Sequence, residues 1–366
     1  MKKNKAFKYQ LYPNDEQKIL IIKTFGCCRF IYNKMLADKI AYYNETKQKL
    51  NNTPAQYKQE FGWLKEVDCM ALCNEQMNLQ TAYNNFFRNK GVGFPKFKSK
   101  KSPKRSYTTN SINNSIRIEK NQHLRLPKIG TIKFVEHRRI PKDFTIKSVT
   151  VSQTPSGKFF VSILTEYETE EISYKVNKEN SIGIDYSSHD FYVDSQNRSP
   201  QNYHHLFREY EDKLAKEQRK LSNMKLGSNH YNKQKVKVAK VHEKIANKRK
   251  EFIETLSTEL ARKYDIVCVE DINMQNISQS LKLGKSTMDN GFGVFRARLQ
   301  QKLEERGKKL VKIDKWFPSS KMCRFCGSIN TELKLSNREW DCSCGKHLLR
   351  DENAAINILN EGLRLM

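Results

Sequence analysis

Ser181–Ser195 reads SIGIDYSSHDFYVDS, two apolar stretches joined by a short polar turn. In the first, Ile182 and Ile184 alternate with Gly183 and Asp185, the period of two that sends successive side chains to opposite faces of a strand. Asp185 therefore points away from the isoleucines, in a strand apolar enough to be buried. An isolated buried carboxylate is costly, so it must be paired or bind a metal ion. Downstream, YDIVCVEDI (264–272) reads as a buried strand, GVFRARLQQKLEERG (293–307) as a helix and KLVKID (309–314) as another strand. That alternation predicts an α/β core. Glu270 ends its strand at the C-terminal edge, where α/β proteins commonly place ligands. Between the two strand regions lies a long helical pair, with Leu206, Tyr210 and Leu214 on one apolar stripe and Val241, Ile245, Phe252, Leu256 and Leu260 on the other. Its remaining faces are basic and include Lys244, Lys248 and Arg249.

Toward the C-terminus, Cys323-x-x-Cys326-Gly327 and Cys342-x-Cys344-Gly345 are two knuckles separated by 15 residues, each closed by a glycine suited to positive φ. Four thiolates at this spacing suit tetrahedral zinc in a closed, structural site. The one-residue spacer of the second knuckle is short, and His347 is the substitute ligand it leaves open. With no export signal, disulfides are not expected; Cys27, Cys28, Cys69, Cys73 and Cys268 read as small buried hydrophobes. Asp351 heads a helix on which Ala355, Ile358 and Leu359 follow at helical spacing, so it faces inward. Each acid has a plainer reading: Asp351 as an N-cap, Glu270 as interchangeable with Asp271, Asp185 as the partner of a lysine. Together, three carboxylates converging on one sheet edge suit two divalent cations acting on a phosphodiester, with Mg²⁺ or Mn²⁺ preferred by oxygen ligands.

Sixty-seven Lys and Arg against 40 Asp and Glu give a formal charge of +27, which calls for an anionic partner, nucleic acid above all. A membrane surface is the rival, weakened because no apolar run approaches the roughly 18–20 residues of a span and MKKNKAFKYQLYP lacks an apolar signal core. A cytoplasmic location is expected. AFKYQLYP reads as a half-buried strand ended by Pro13, Asn14 as a helix N-cap with Gln17 behind it, and residues 14–87 as a helical unit. From Gln76 to Ile118 there is no acid, while Arg88, Lys90, Lys96, Lys98, Lys100, Lys101, Lys104, Arg105 and Arg117 fall inside, interleaved with Phe94, Phe97 and Tyr107. This pattern suits a phosphate backbone with base stacking; a disordered basic linker is the alternative. Residues 115–166 read as short alternating strands of a small β-barrel or sandwich, whose sheet the N-terminal strand could complete across the helical insertion.

Taken in order, GIDYS, VCVEDI, PSSKMCRFCGS and CGKHLLRDENAAINIL resemble the TnpB proteins of bacterial insertion sequences, relatives of the type V CRISPR effectors. YQLYPNDEQ, GFPKFKSKK and HEKIANKRKEFIETLS are also similar to family segments, so the resemblance covers most of the chain. It implies a multidomain α+β protein. A β-barrel wedge domain (1–13 and 106–175) is interrupted by a helical recognition domain (14–105), followed by an RNase H-like, RuvC-type nuclease domain (176–319 and 347–366) with a zinc ribbon (320–346) inserted. It further implies an RNA-guided DNA endonuclease that binds a noncoding guide RNA from its own element, recognises a short duplex motif beside the target and cleaves the paired DNA. Asp185, Glu270 and Asp351 match the family's metal-binding triad, for Mg²⁺ or Mn²⁺, and Cys323, Cys326, Cys342 and Cys344 its zinc ligands. Guide pairing would read the target while basic protein surfaces hold the heteroduplex. Asn74, Gln76, Asn78 and Gln80 are amide candidates for reading the duplex motif, since Asn and Gln pair with adenine; packing roles compete for each. The family's HDRD is LLRD here, Leu348–Asp351, so Leu349 replaces a second acid. A nuclease-inactive RNA-guided repressor and an unguided, structure-selective nuclease are the alternatives; loss of a triad acid would mark the first, and all three are present.

Overall fold

The computed structural model describes residues 1–103, 105–170, 174–201, 203, 206–273, 291–334 and 336–366, with the side chains of 206–208 also outside the description. Lys104 and the Leu206 side chain, both named from the sequence, thus lie outside it. Two compact units divide the chain, Met1–Glu170 and Glu171–Met366.

In the first unit, β1 (Lys2–Tyr12) is followed by α1 (Asp15–Thr46), α2 (Pro54–Glu60), a 3₁₀ turn (Gly62–Glu66) and α3 (Cys69–Arg88). Then come β2 (Arg105–Asn110), β3 (Arg117–Glu119), β4 (His123–Leu126), β5 (Gly130–Phe134), β6 (Thr145–Gln153) and β7 (Phe159–Glu168). These strands form one antiparallel sheet in the order β2-β6-β7-β1-β5-β4-β3. As the alternation of Phe7, Tyr9 and Leu11 foretold, β1 joins the later strands: it lies between β7 and β5 and pairs with β7 from Lys2↔Glu168 to Leu11↔Phe159. The helix start is as read. Asn14 Oδ1 accepts from the Gln17 amide at 2.8 Å and Gln17 Oε1 from the Asn14 amide at 3.1 Å, a reciprocal cap that satisfies two otherwise unpaired donors. Phe25, Ile31 and Leu36 of α1 and Leu72 and Leu79 of α3 share one core with the inner face of the sheet. Cys27 and Cys28 are buried there, but Cys69 is exposed and Cys73 half-buried. Cys69 is the first residue of α3, on a turn too close to solvent to be covered.

The second unit contains β8 (Ser181–Ser187), β9 (Phe191–Asp194), α4 (Leu206–Ser222), α5 (Asn229–Lys263), β10 (Ile266–Glu270), α6 (Phe292–Glu304) and β11 (Lys309–Ile313). It ends with β12 (Glu339–Asp341), β13 (His347–Leu349) and α7 (Arg350–Arg364). Its main sheet runs β11-β10-β8-β9. The hairpin β8–β9 is antiparallel, while β8, β10 and β11 are parallel. Alternation assigns the two faces. Ile182, Ile184, Val267 and Val269 pack on Ile253, Leu256 and Leu260 of α5 and on Phe292, Phe295, Leu299 and Leu303 of α6. Ile266, Cys268 and Ile313 face the other way, onto Ile358 of α7. The result is a helix–sheet–helix sandwich. The N-terminal half of α5 pairs with α4 through Tyr210, Leu214, Val238, Val241 and Ile245. Among the described residues no helix is long and apolar enough to cross a membrane.

Two glycines set how close α7 lies. A methyl on Gly183 would stand 2.8 Å from Leu359 Cβ and from the Leu359 amide nitrogen, and nearer still to the Ala355 carbonyl oxygen. One on Gly362 would meet Cys268. The helix backbone therefore rests directly on β8 and β10, a contact any larger residue would prevent.

Candidate metal centres and nucleic-acid interface

Parallel register brings two of the predicted acids together. Val269 is opposite Ile184, so Glu270, which ends β10, and Asp185, two residues before the end of β8, stand side by side on adjacent strands, whose spacing is about 4.8 Å. Both project from the face covered by α7, since Gly183 and Cys268, two residues back, touch that helix. Ala355 lies over Gly183. Asp351 is one helical turn before Ala355, about 6 Å along the axis, and Asp185 is two strand residues beyond Gly183, about 6.6 Å. Helix and strand thus deliver Asp351 and Asp185 to one locus.

Electrostatics agree with that convergence. Burial first, then the charges of Glu270 and Asp351, push the Asp185 carboxyl well above its ordinary range, with Arg350 opposing. Glu270 is also raised by burial, and the Ser319 hydroxyl that donates to its Oε1 works against the rise. Asp351 meets Arg350 at 2.8 Å and Arg338 at 3.1 Å. An acidic locus of this kind in a chain of charge +27 suits a bound cation, which removes the repulsion without protonating the acids. The acids are not drawn as tightly together as the cysteines: among the described residues, Cys323, Cys326, Cys342 and Cys344 are the group whose ligand atoms all lie within 4.8 Å.

That cysteine cluster is built from two equivalent turns. Cys323 N–H donates to the Ser328 carbonyl and Gly327 N–H to the Cys323 carbonyl, at 2.8 and 2.9 Å; Cys342 N–H donates to Lys346 and Gly345 N–H to Cys342, both at 2.9 Å. Gly327 and Gly345 have φ of 76° and 78°, the left-handed region expected of the knuckle glycines. The short spacer does not displace Cys342: it sits in the β12–β13 hairpin turn with its sulfur 3.5 Å from that of Cys326, and Cys323 and Cys344 sulfurs are 3.8 Å apart. The Cys344 amide and the Ser328 hydroxyl lower the pKa of the Cys342 thiol, while contact with Cys342 raises that of Cys344. His347 is not needed; its ring nitrogens face Asp341 and Glu339. Trp340 and Leu348, with half-buried Leu333, are the apolar residues packed with Cys323 and Cys342. So small a core is of the kind that a metal staple supports, and the four sulfurs could hold one.

Sequence reading missed what joins this cluster to the acids. Buried Asn353 and Asn357, one turn apart on α7, donate to the Met322 carbonyl at 2.7 Å each, and Asn357 also to the Ser319 carbonyl at 2.8 Å. Arg324 pairs with Glu352 at 2.7 Å. The available signal was two amides four apart on the apolar face of a helix, where each must find a partner.

Residues 1–48 match a family model described as a helix-turn-helix domain, residues 162–281 one described as "Probable transposase", and residues 292–358 one described as a Cas12f1-like TNB domain. A Streptomyces pristinaespiralis protein named "Putative RNA-guided DNA endonuclease" is 35% identical over 98% of this chain and 89% of its own length. The chain belongs to the TnpB family. Another relative, "Putative RNA-guided DNA endonuclease InsQ" of Escherichia coli K12, is 29% identical over 99% of this chain and 93% of that protein. A solved structure titled "Cryo-EM structure of the Cas12f1-sgRNA-target DNA complex" matches with a TM-score of 0.59 at 12% identity, covering 98% of this chain and 99% of that one. It shares the fold. The part matched as helix-turn-helix is, in this TnpB-family chain, one strand and one long helix.

The TnpB-family basic residues named above divide by their surroundings. Arg88, Lys96, Lys100, Lys101 and Arg105 are exposed, with Arg105 also reaching Gln153 at 3.2 Å. Lys98 differs. Its ammonium pairs with Glu75, a buried acid, and lies 4.3 Å from the Tyr32 ring centroid, while its backbone exchanges hydrogen bonds with Asn33. Exposed like the others, it also pins the acid-free segment to α1 and α3. Lys244 and Lys248 both lie over the Tyr210 ring, 5.0 and 5.3 Å from its centroid, and Lys248 also meets Glu209 at 3.3 Å; the aliphatic part of Arg249 faces Gly291. Asn74 donates to the Met70 and Thr108 carbonyls and Gln76 to the Asn52 carbonyl, so backbone engages both amides. Gln80, exposed, donates to Asn84.

Proposed function

We propose that this chain is an RNA-guided DNA endonuclease that hydrolyses phosphodiester bonds at Asp185, Glu270 and Asp351. The observation that carries the reading is the register of β8 against β10 under α7, which aligns two acids at the sheet edge beneath a helix that begins with the third. The names of the relatives supply the guide and the substrate. In this reading the β11-β10-β8-β9 sheet with its helices is the RuvC-type core, and the first unit's sheet is the wedge barrel with α1–α3 inserted as the recognition domain. The 320–346 ribbon carries structural zinc on Cys323, Cys326, Cys342 and Cys344.

Mg²⁺ or Mn²⁺ held by the three acids would lower the pKa of water for attack and stabilise the departing oxygen. The chain's own contribution is placement. Asp185 is fixed in a strand, Glu270 is held by Ser319, and Asp351 is fixed at a helix start and restrained by Arg338 and Arg350. Arg338, 64% exposed at its side chain, can turn outward to a phosphate. Exposed Arg88, Lys96, Lys100, Lys101 and Arg105, with Lys244 and Lys248, supply charge for the guide RNA and the double-stranded target.

The test is purification of the full chain, sequencing of RNA that copurifies, and incubation with duplex DNA matching that RNA. The proposal expects a discrete RNA from the element's end and Mg²⁺-dependent cleavage beside one short motif, abolished by Asp185→Ala. Absence of copurifying RNA removes the guided part; wild-type cutting by Asp185→Ala or Asp351→Ala removes the catalytic assignment.

A further inference from the structure

We infer that Ser319 is a positioning residue for metal binding, one residue whose hydroxyl holds the Glu270 carboxylate and whose carbonyl ties it to the helix carrying Asp351. This rests on the reading of Asp185, Glu270 and Asp351 as the cation-holding acids. Glu270 has several rotatable bonds, and a free carboxylate there loses that freedom on binding an ion. The Ser319 hydroxyl donates to Glu270 Oε1, which fixes the rotamer and leaves the second oxygen for a cation.

Ser319 is itself held from two sides. It is 5% exposed, its amide donates to the Phe317 carbonyl at 2.8 Å, and Phe317 packs into the core of Ile266, Cys268 and Ile358. On the other side its carbonyl accepts from Asn357 Nδ2 at 2.8 Å. Asn357, 2% exposed, belongs to α7, and Asp351 lies in the first turn of the same helix. The path from Glu270 through Ser319 and Asn357 to Asp351 thus contains two hydrogen bonds and a single rigid helix. Nothing comparable would be needed if Ser319 only capped a turn, since its hydroxyl could then be satisfied by nearby backbone. Groups that orient metal-binding side chains typically contribute about 10–100-fold to metal affinity or activity.

The experiment measures Mn²⁺ binding to the full chain by water-proton relaxation, with Asp185→Ala as the blank, alongside the Mg²⁺ dependence of cleavage. Ser319→Ala is expected to raise the half-saturating Mn²⁺ and Mg²⁺ concentrations about 10–100-fold, with the half-saturating DNA concentration and the zinc content unchanged. Ser319→Thr, which keeps the hydroxyl, restores metal binding. Ser319→Cys, which keeps the volume but offers a weak donor, follows alanine and covers the case in which alanine perturbs folding. Wild-type Mn²⁺ affinity in Ser319→Ala or Ser319→Cys, with binding lost in Asp185→Ala, overturns the role of Ser319 and leaves the acids in place. Unchanged binding in Asp185→Ala as well overturns the acids themselves, and Ser319 with them.

Discussion

Gly183→Ala tests the closeness of α7 to β8 that the proposed catalytic geometry requires. The added methyl would lie 2.8 Å from Leu359 Cβ and from its amide nitrogen, where ordinary contact begins at 3.4 Å, so α7 must withdraw by at least about 0.6 Å. The Ala355 carbonyl oxygen is nearer and demands more. Two of these obstacles are backbone, so no rotamer change relieves them. Overpacking of this kind costs about 1–3 kcal/mol, and for a domain of about 150–250 residues each kcal/mol lowers the melting temperature by about 2–4 °C. The larger effect falls on chemistry, because withdrawing α7 moves Asp351 from Asp185 and an error near 1 Å can reduce rate about 10²-fold. Expected are a melting temperature lower by about 2–12 °C and single-turnover cleavage reduced about 10–100-fold with guide binding intact. Gly26→Ala in α1 is the control; no atom lies within 4 Å of its methyl, and the change should stabilise slightly. Gly183→Ala that melts and cuts like wild type would refute the close-packed helix and the geometry drawn from it.

Gly362→Ala meets the Cys268 side chain, whose Cβ lies 2.8 Å away with Sγ nearer. Its destabilisation in thermal melts should therefore be partly recovered by Cys268→Ala, a relief unavailable at Gly183. Burial and the charges of Glu270 and Asp351 raise the Asp185 pKa in the folded state. Folding then takes up protons, and stability is lost as pH rises from the unfolded value toward the folded one. In Mg²⁺-free buffer Asp185→Asn should thus unfold at higher denaturant than wild type near neutral pH, with the gap closing in acid; equal midpoints at neutral pH would count against a buried acidic locus. Cys326→Ser or Cys342→Ser should lose the zinc that wild type releases to a chromogenic chelator after denaturation and should cut more slowly, whereas exposed Cys69→Ser should retain both.

How much was legible follows from the range of each interaction. The two cysteine knuckles, the Asn14 cap and the β8–β9 hairpin depend on residues close in sequence, and spacing alone revealed them. Strand alternation also told which face Asp185 takes. Pairing between distant segments was legible only in outline: Phe7, Tyr9 and Leu11 announce a half-buried strand but not that β1 lies between β7 and β5. Lys98 shows the limit in the other direction. Its neighbours in sequence are all basic or neutral, so its ion pair with Glu75, a buried acid of α3, could not be read from them. The carbonyls that Asn74 and Gln76 meet likewise lie elsewhere in the chain, at Thr108 and Asn52, and could not be read from their own surroundings.

The same distinction explains why the cysteine ribbon stands beside Asp351. A ribbon whose apolar residues are Trp340, Leu348 and half-buried Leu333 has little to fix its orientation except the elements at its two ends. The chain leaves the sheet after β11, enters the ribbon through 319–324 and returns through β13 into α7. Asn353 and Asn357 bind the outgoing segment to the returning helix, and Arg324 with Glu352 adds a charged tie. The entry and exit of the insertion are thereby locked together at the first turns of α7, the part of the helix that carries Asp351. A metal held by the four cysteines would close the ribbon and limit the freedom of both segments leading to that turn. In the proposed reading the ribbon would act on the acidic site through this geometry alone.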